Sequence, residues 1–190
     1  MSDISFDHVI RTRRTTRSYR SDPVSEALLA ELIELATLAP TAVAAQPWRF
    51  SAVSNREVLS QVNVQVKRRL LEKLPEWPFL QRLQPSLESE SFNVFYGAPA
   101  LVVIQCPQRD HVAVMDCLLA AENLILAAHA RGLGTCFMGF VLMAQDVAGL
   151  AHAIGVQESY QIVAPIVVGY SDAIPQDPPK RKPAEITWMR

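Results

Sequence analysis

The most continuous apolar pattern lies in the second half of the chain. Between Asp116 and Phe140 the sequence reads DCLLAAENLILAAHARGLGTCFMGF, and its first part is apolar on nearly every side of a helix. Such a helix has no face for water, so we expect it in a core or against a partner subunit. Arg131 and Gly132 supply a cation and a left-handed cap where the helix would end. The residues that follow favour a short strand through Met138 to Gly139.

The spacing of apolar residues predicts further elements on both sides of this stretch. Helical spacing predicts three helices, at Ser25 to about Leu38, Asn55 to about Leu74, and Gln145 to Ile154. Apolar runs of strand length predict three strands, at Arg49–Val53, Ala100–Cys106 and Tyr160–Gly169. Pro165 in the last strand indicates a bulge or an edge position. Helices and strands mixed without strict βαβ repetition are typical of an α+β sandwich.

Two segments lack a clear periodic pattern. Residues 75–97 are rich in proline and aromatic residues, which predicts an irregular excursion and a candidate lid. The last twenty residues are rich in proline and are expected to be irregular. A chain of 190 residues is long enough to bury a sizeable core, so we expect a single domain over residues 1–190.

Charge and cysteine content narrow the classes of partner. The formal net charge is −1 and the pI about 6.4, so no global field favours nucleic acid or an anionic membrane. Three cysteines without a CxxC pair fit a reducing compartment better than a disulfide framework. The first residues form no apolar signal core, and no uninterrupted apolar run reaches the ~20 residues of a membrane span. We therefore expect a soluble cytoplasmic protein.

Several common catalytic signatures are missing from the sequence. It contains no Walker A loop and no GxSxG elbow, and its four histidines do not pair at metal-ligand spacing. Gly132-x-Gly134 follows a helix and enters a strand, which is the reverse of the dinucleotide fingerprint. His129 is interpreted as a satisfied core residue, and Cys136 as a packing residue because nothing nearby would lower its pKa. No metal site is expected.

A cluster of cations near the start suits an anionic ligand. Arg13, Arg14, Thr15 and Arg17 offer planar guanidinium groups and a hydroxyl within five residues. Phosphate recognition uses such sets because bidentate, charge-assisted bonds fix both position and charge. Composition alone also allows the simpler interpretation, that these arginines and the distant Lys180–Lys182 cluster are solvated surface charges.

At four separated places the chain resembles the nitroreductase family of flavin enzymes. The RRTTR segment is similar to the family's R-R-S-x-R phosphate signature, with Thr15 in the place of serine. Ala39–Phe50, APTAVAAQPWRF, resembles its A-P-S-x-x-N-x-Q-P-W-x-F loop, and Asp116–Phe140 resembles its apolar helix with the strand that ends in glycine. Pro165–Tyr170 and the basic tail around Arg181 resemble its closing strand and C-terminal segment. Residues 55–97 match the family poorly.

The resemblance implies a fold, a cofactor and a set of contacts. The fold would be a nitroreductase-like α/β sandwich, with a central, mostly antiparallel sheet flanked by helices, in an obligate homodimer that binds FMN at its interface. Arg13, Arg14, Thr15 and Arg17 would hold the phosphate, and Arg181 would close over it. Pro40, Thr41 and Ala42 would come from the other subunit to line the isoalloxazine. Met138 and Gly139 would lie beside the flavin, with the Gly139 backbone N–H near N5.

One position departs from the family pattern. Ala44 stands where the family usually carries asparagine, whose amide can hydrogen-bond the flavin edge or the phosphate. The loss of one such bond costs about 0.5–1.5 kcal/mol, which would weaken a site of many contacts without abolishing it.

The function implied is that of an FMN-dependent oxidoreductase with a ping-pong cycle. NADH or NADPH would reduce the flavin, and a flat, electron-poor acceptor such as a nitroaromatic or a quinone would then be reduced. No protein side chain is assigned a catalytic role, because the cofactor carries the chemistry. Two alternatives remain open: a specialised FMN-dependent dehydrogenase or oxidase acting on one metabolite, and a dimeric flavin- or ligand-binding protein without turnover.

Overall fold

Helices cover both faces of one antiparallel sheet. A computed structural model describes residues 5–172 and 178–190 of the chain. The α-helices in these residues are α1 (Phe6–Thr12), α2 (Glu26–Thr37), α3 (Arg56–Glu72), α4 (Gln84–Glu88), α5 (His111–Ala130), α6 (Gly139–Met143) and α7 (Leu150–Ala153). The strands are β1 (Arg49–Val53), β2 (Ala100–Pro107), β3 (Gly134–Phe137) and β4 (Tyr160–Gly169), and short 3₁₀ helices lie at Ala42–Ala44 and Pro78–Leu83.

The sheet has the order β1-β2-β4-β3, and every neighbouring pair is antiparallel. The predicted antiparallel sheet flanked by helices is therefore confirmed. The bounds predicted for β1 and β4 agree with the structure, and β2 extends one residue beyond its predicted end. The strand expected to run through Met138 to Gly139 is present as β3, but its predicted end is wrong, because β3 stops at Phe137 and Gly139 opens α6. These strands were predictable because their apolar residues are continuous and are bounded by turn residues.

The β2–β4 pairing contains the irregularity that Pro165 indicates. The register shifts between Ile104 and Gln105, which lie opposite Ala164 and Ile162, so Val163 is left without a partner. One extra residue in one strand of an antiparallel pair is a β-bulge. The predicted bulge is thus present two residues before Pro165. The alternative of an edge position is wrong, because β4 lies between β2 and β3.

Two separate hydrophobic clusters cover the two faces of the sheet. Alternating residues of β2 divide between them: Leu101 and Val103 join the cluster around α3, α6 and α7, whereas Val102 and Ile104 join the cluster of α2 and α5. This alternation follows from the period of two along a strand. The sheet is therefore the middle layer of a three-layer sandwich, and α5 lies in the layer that carries α2.

The helices predicted at residues 25–38 and 55–74 are confirmed as α2 and α3, to within two residues at each end, whereas the other helix predictions are less accurate. The helix α5 begins at His111, where the Asp110 carboxylate accepts a hydrogen bond from the Ala113 N–H at 2.9 Å, five residues before the predicted stretch. The prediction of a helix at residues 145–154 is wrong for the first half of that segment, which forms turns. Gly149 at φ 79° separates those turns from α7. Residues 75–97 contain one 3₁₀ helix and α4, so the segment is more regular than predicted.

The helix α5 is long and apolar enough to cross a membrane by length and composition alone. It has 20 residues, and an 18-residue window within it has a mean hydropathy of 1.5. The core helix of a soluble protein passes the same test, and α5 buries Cys117, Ala120 and Leu124 against α2 and the sheet. Its composition is therefore explained by its place in the fold.

Candidate functional site

The arginine-rich segment, residues 13–17, leaves α1 and joins the edge of β3. We call it the arginine strap. The Thr16 N–H donates to the Thr135 carbonyl at 2.9 Å, and Thr15 and Thr135 form an isolated parallel bridge. Thr16 is buried against Gly134, where a Cβ would lie 2.4 Å from the Thr16 Oγ1. Glycine at position 134 thus lets the strap approach the sheet closely.

The guanidinium groups of the strap have different environments. The Arg14 Nη1 donates to the backbone carbonyls of Arg11 and Arg13, both at 2.7 Å. Its Nε is buried and has no acceptor among residues 5–172 and 178–190. Arg13 is half-buried and Arg17 is exposed. A buried donor without an acceptor beside two further cations is an arrangement that suits an anion such as a phosphate.

His129 of α5 lies directly beneath the strap. Its Nε2 is 2.8 Å from the Thr12 Oγ1, and the side chain is half-buried. Burial is the main cause that lowers the pKa of His129, and the neighbouring positive charge of Arg13 lowers it further. The imidazole therefore stays neutral at pH 7 and can bind its threonine partner without adding charge to the strap. The sequence-based interpretation as a satisfied residue describes this contact but missed its place at the site.

A group of buried polar side chains forms the floor next to the strap. The Tyr19 hydroxyl donates to the Thr16 carbonyl at 2.9 Å. Burial raises the pKa of Tyr19 well above the usual tyrosine value and also raises the pKa of Tyr96, so both phenols remain protonated. Burial likewise raises the pKa of the Cys136 thiol, although Arg17 opposes the shift. A protonated, buried thiol is a poor nucleophile, which agrees with the interpretation of Cys136 as a packing residue.

Met138 and Gly139 follow the end of β3 and lead into α6. Met138 is buried, and its N–H donates to the Pro165 carbonyl at 2.7 Å. Gly139 opens α6, so its N–H has no acceptor within that helix. A Cβ built on Gly139 would meet no atom within 4 Å, so the backbone is open to a flat ligand. Thr135 and Gly139 are four residues apart, which is at most about 13 Å at the rise of a strand.

The loop after α2 has an unusual conformation. We call Pro40–Gln46 the apolar loop. Val43, Ala44 and Gln46 have φ values of 47°, 55° and 47°, in the left-handed region that non-glycine residues seldom adopt. The β-branched Val43 is 97% exposed, so packing of its own side chain does not hold it in this conformation. Backbone strain of this kind is common at ligand contacts, where the surrounding structure keeps it in place.

A carboxylate on α5 anchors this loop. Both oxygens of Asp116 lie near the Ala42 N–H, at 3.2 and 3.3 Å. Asp116 is 4% exposed, and Ala42 is exposed. Asp116 is a site residue that the sequence-based predictions missed, although an acidic residue in the most apolar helix of the chain was a visible signal.

The structure unites only some of the predicted binding residues. The strap, Met138 and Gly139 meet along β3, but Pro40, Thr41, Ala42 and Ala44 do not join them. Asp116 holds the apolar loop and His129 holds the strap end, and these residues are thirteen positions, or about 20 Å, apart on α5. Arg181 is exposed in the segment 178–190, which has neither helix nor strand and places Arg181 in no hydrogen bond with a described residue.

One face of α5 is apolar and uncovered in the single chain. Its four large exposed residues are 44–60% exposed: Val112, Met115, Leu118 and Leu119. Phe6 and Ile10 of α1 and Leu38 after α2 are also exposed, by 67%, 49% and 71%. Apolar side chains exposed in such number along one helix mark an interaction surface more often than ordinary solvent contact.

No group of three or more histidine, cysteine, aspartate or glutamate side chains in the described residues is arranged to hold a metal ion. The chemistry of the site therefore rests on cations, backbone N–H groups and an open backbone at Gly139. These features can bind a molecule that has an anion at one end and a flat group at the other.

Known proteins resemble this chain in sequence and in fold. The Nitroreductase family profile matches residues 10–170. A putative NADH dehydrogenase/NAD(P)H nitroreductase of Methanothermobacter thermautotrophicus is 29% identical over 166 residues, covering 85% of this chain and 74% of the relative. A nitrobenzene nitroreductase of Ectopseudomonas oleovorans is 26% identical, covering 87% and 86%. The crystal structure of a nitroreductase with bound FMN from Bacteroides fragilis superposes with a TM-score of 0.83 at 25% identity, covering 96% and 97% of the two chains.

Proposed function

This chain belongs to the nitroreductase family, and we propose from this premise that it is a homodimeric FMN enzyme that oxidises NADH or NADPH and reduces nitroaromatic, quinone or similar electron-poor acceptors. The observation that supports the proposal most directly is the geometry along β3. There a strap with an unpaired cationic donor lies one short strand away from a glycine whose backbone is open to a ligand. FMN carries its phosphate and its ring system at opposite ends of a ribityl chain, which suits this arrangement.

In this proposal each residue of the site has a physical task. Arg13, Arg14 and Arg17 neutralise the phosphate, and the buried Arg14 Nε supplies a donor that is otherwise unpaired. The Gly139 N–H orients the ring edge that takes part in hydride transfer. Bound FMN would supply the hydride-transfer chemistry between the nicotinamide and the acceptor. The protein side chains bind and orient, and none needs to act as an acid or a base. Arg181 is proposed to close over the phosphate from the C-terminal segment.

The separation of the two halves of the site favours a dimer. In one chain the apolar loop and the strap lie about 20 Å apart along α5. Two copies of α5 packed antiparallel about a two-fold axis would place the start of one helix beside the end of the other. The apolar loop of one copy would then reach the flavin held by its partner. The same packing would cover the exposed face with Met115 and Leu119.

The cysteines fit a reducing compartment, so we include the cytoplasm in the proposal. Cys106, Cys117 and Cys136 are all free thiols buried in the core. An oxidising compartment would give such thiols no structural use.

A spectroscopic experiment on the purified protein tests the proposed reaction. We expect a yellow protein that bleaches when NADH or NADPH is added without oxygen and recovers its colour with a nitroaromatic or a quinone. A yellow protein that neither nicotinamide bleaches would contradict the proposed electron donor and favour an enzyme of one specialised metabolite. A colourless protein that takes up no added FMN would contradict the assignment of the whole site.

A further inference from the structure

Asp116 is a carboxylate in a place that normally excludes charge. It lies on the most apolar helix of the chain and is 4% exposed. Its neighbours in sequence, Met115 and Cys117, are apolar. Burial of an ionised carboxylate is costly unless hydrogen bonds compensate for it. The compensating donor within residues 5–172 and 178–190 is the Ala42 N–H, at 3.2 and 3.3 Å from the two oxygens.

The other hydrogen bonds of the apolar loop tie it to itself. The Ala44 N–H donates to the Thr41 carbonyl at 3.3 Å, and the Ala45 N–H donates to the Ala42 carbonyl at 2.9 Å. The Gln46 N–H donates to the Thr41 Oγ1 at 3.4 Å. These bonds shape the loop but do not fix where it lies. The bond from Ala42 to Asp116 joins the loop to α5.

We propose that Asp116 is a positioning residue that holds the apolar loop in the strained conformation in which it contacts the flavin of a second copy. The inference rests on the proposed function. Val43 and Ala44 have positive φ values, and such residues relax to ordinary conformations unless their surroundings oppose it. The Asp116 carboxylate opposes it by fixing the first N–H of the 3₁₀ turn. The loop is thereby organised before the ring system arrives, which reduces the entropy lost on binding.

The hydrogen bond between the Ala42 N–H and the Asp116 carboxylate can be removed by a substitution at either residue. Asp116→Ala removes the acceptor. Ala42→Pro removes the donor at the first position of a short helix, where proline is tolerated. Thr41 is already extended, at φ −131° and ψ 149°, as a residue before proline requires. Asp116→Asn keeps an acceptor oxygen while it removes the charge.

The test is a double-mutant cycle on FMN binding, followed by titration of flavin fluorescence. We expect each single variant, Asp116→Ala and Ala42→Pro, to weaken FMN binding by about tenfold. The double variant should also bind FMN only about tenfold more weakly than the wild type, because the two substitutions remove the same hydrogen bond. Asp116→Asn should stay within about threefold of the wild type. In a steady-state assay, each of the two single variants should raise the KM for the acceptor more than it lowers kcat.

Cys117→Ala is the matched control, since Cys117 is buried beside Asp116 but donates to the Gln105 carbonyl on the sheet. FMN affinity of Asp116→Ala equal to that of Cys117→Ala would overturn the inference, because a loss of packing in α5 would then be the whole effect. Additive losses in the double variant, about a hundredfold, would overturn it as well. Wild-type protein that takes up no FMN would overturn the proposed function and this inference with it, whereas wild-type binding with unchanged variants would overturn the inference alone.

Discussion

The arginine strap and the apolar loop are the two halves of the candidate site, and the chain holds them in opposite ways. The strap is built into the body: Thr16 is buried, bonded to Thr135, and packed where Gly134 has no side chain. The apolar loop is exposed, strained at Val43, and joined to α5 through Asp116. The half proposed to bind the charged end of FMN is thus fixed to the body of one chain, whereas the half that faces outward is proposed to act on a second copy.

Because of this difference, we expect substitutions in the two halves to have different effects. A change in the strap removes charge from a site that the single chain already forms, so it should act on ligand affinity directly. A change on the uncovered face of α5 should act through assembly of the two copies. A change in the apolar loop should act mainly on conformational strain. The expected effects decrease in that order.

Removal of two strap cations should give the largest effect. We expect Arg13→Ala combined with Arg17→Ala to weaken FMN binding by about a hundredfold or more, because each charge-assisted hydrogen bond contributes roughly 1.5–3 kcal/mol. Both side chains lie at the surface or half-buried, so the dimer should remain folded. Fluorescence titration with FMN measures the affinity, and circular dichroism checks the fold.

A matched double variant controls for the loss of charge. Arg11→Ala with Arg20→Ala removes the same two charges from exposed positions that flank the strap, and Arg20 pairs with Asp22 rather than with a ligand. This control should retain FMN. Equal affinity in the two double variants would show that the strap does not bind the phosphate.

A charge on the uncovered face of α5 should have an intermediate effect. Met115 is 60% exposed in the single chain, so Met115→Lys should leave the fold of each copy intact. In a two-fold interface the substitution buries two unpaired charges, which is strongly unfavourable. We expect dissociation to monomers, measured by analytical ultracentrifugation, and FMN affinity lowered by about tenfold because the partner's loop is lost.

The control for this variant lies on another face of the molecule. Val64 of α3 is 62% exposed, so Val64→Lys adds the same charge to an equally exposed apolar site. It should remain a dimer with unchanged FMN affinity. A dimeric Met115→Lys protein would place the interface elsewhere and separate the apolar loop from the flavin.

The strands could be predicted from sequence, and parts of the helical layer could not. The strands β1 and β4 have continuous or alternating apolar residues with clear turn boundaries, and their predicted ends are correct. The helix α1 gave no such signal, because Phe6 and Ile10 face outward and Val9 is its one buried residue. Its apolar residues therefore do not follow the pattern of a helix that packs inward.

The candidate site was predictable to the extent that its residues lie in local motifs. The resemblance identified the strap and Gly139, and the structure places both beside β3. It could not identify Asp116 or His129, because their roles depend on contacts with Ala42 and Thr12 that are 74 and 117 positions away. Pairings at such distances are set by the packing of α5, and no local spacing in the sequence reports them.

A substitution at Ala44 should have the smallest effect of those considered, and it tests the strain in the apolar loop most directly. Its φ of 55° lies in the left-handed region, where asparagine is tolerated much better than alanine. We therefore expect Ala44→Asn to raise the free energy of unfolding by about 0.5–1 kcal/mol, measured by urea denaturation without FMN. Ala45→Asn is the control, because Ala45 has an ordinary φ of −67° and should gain nothing. A further gain in FMN affinity in Ala44→Asn alone would show that an amide at position 44 also contacts the flavin, whereas equal stability of both variants would contradict the strained conformation of the loop.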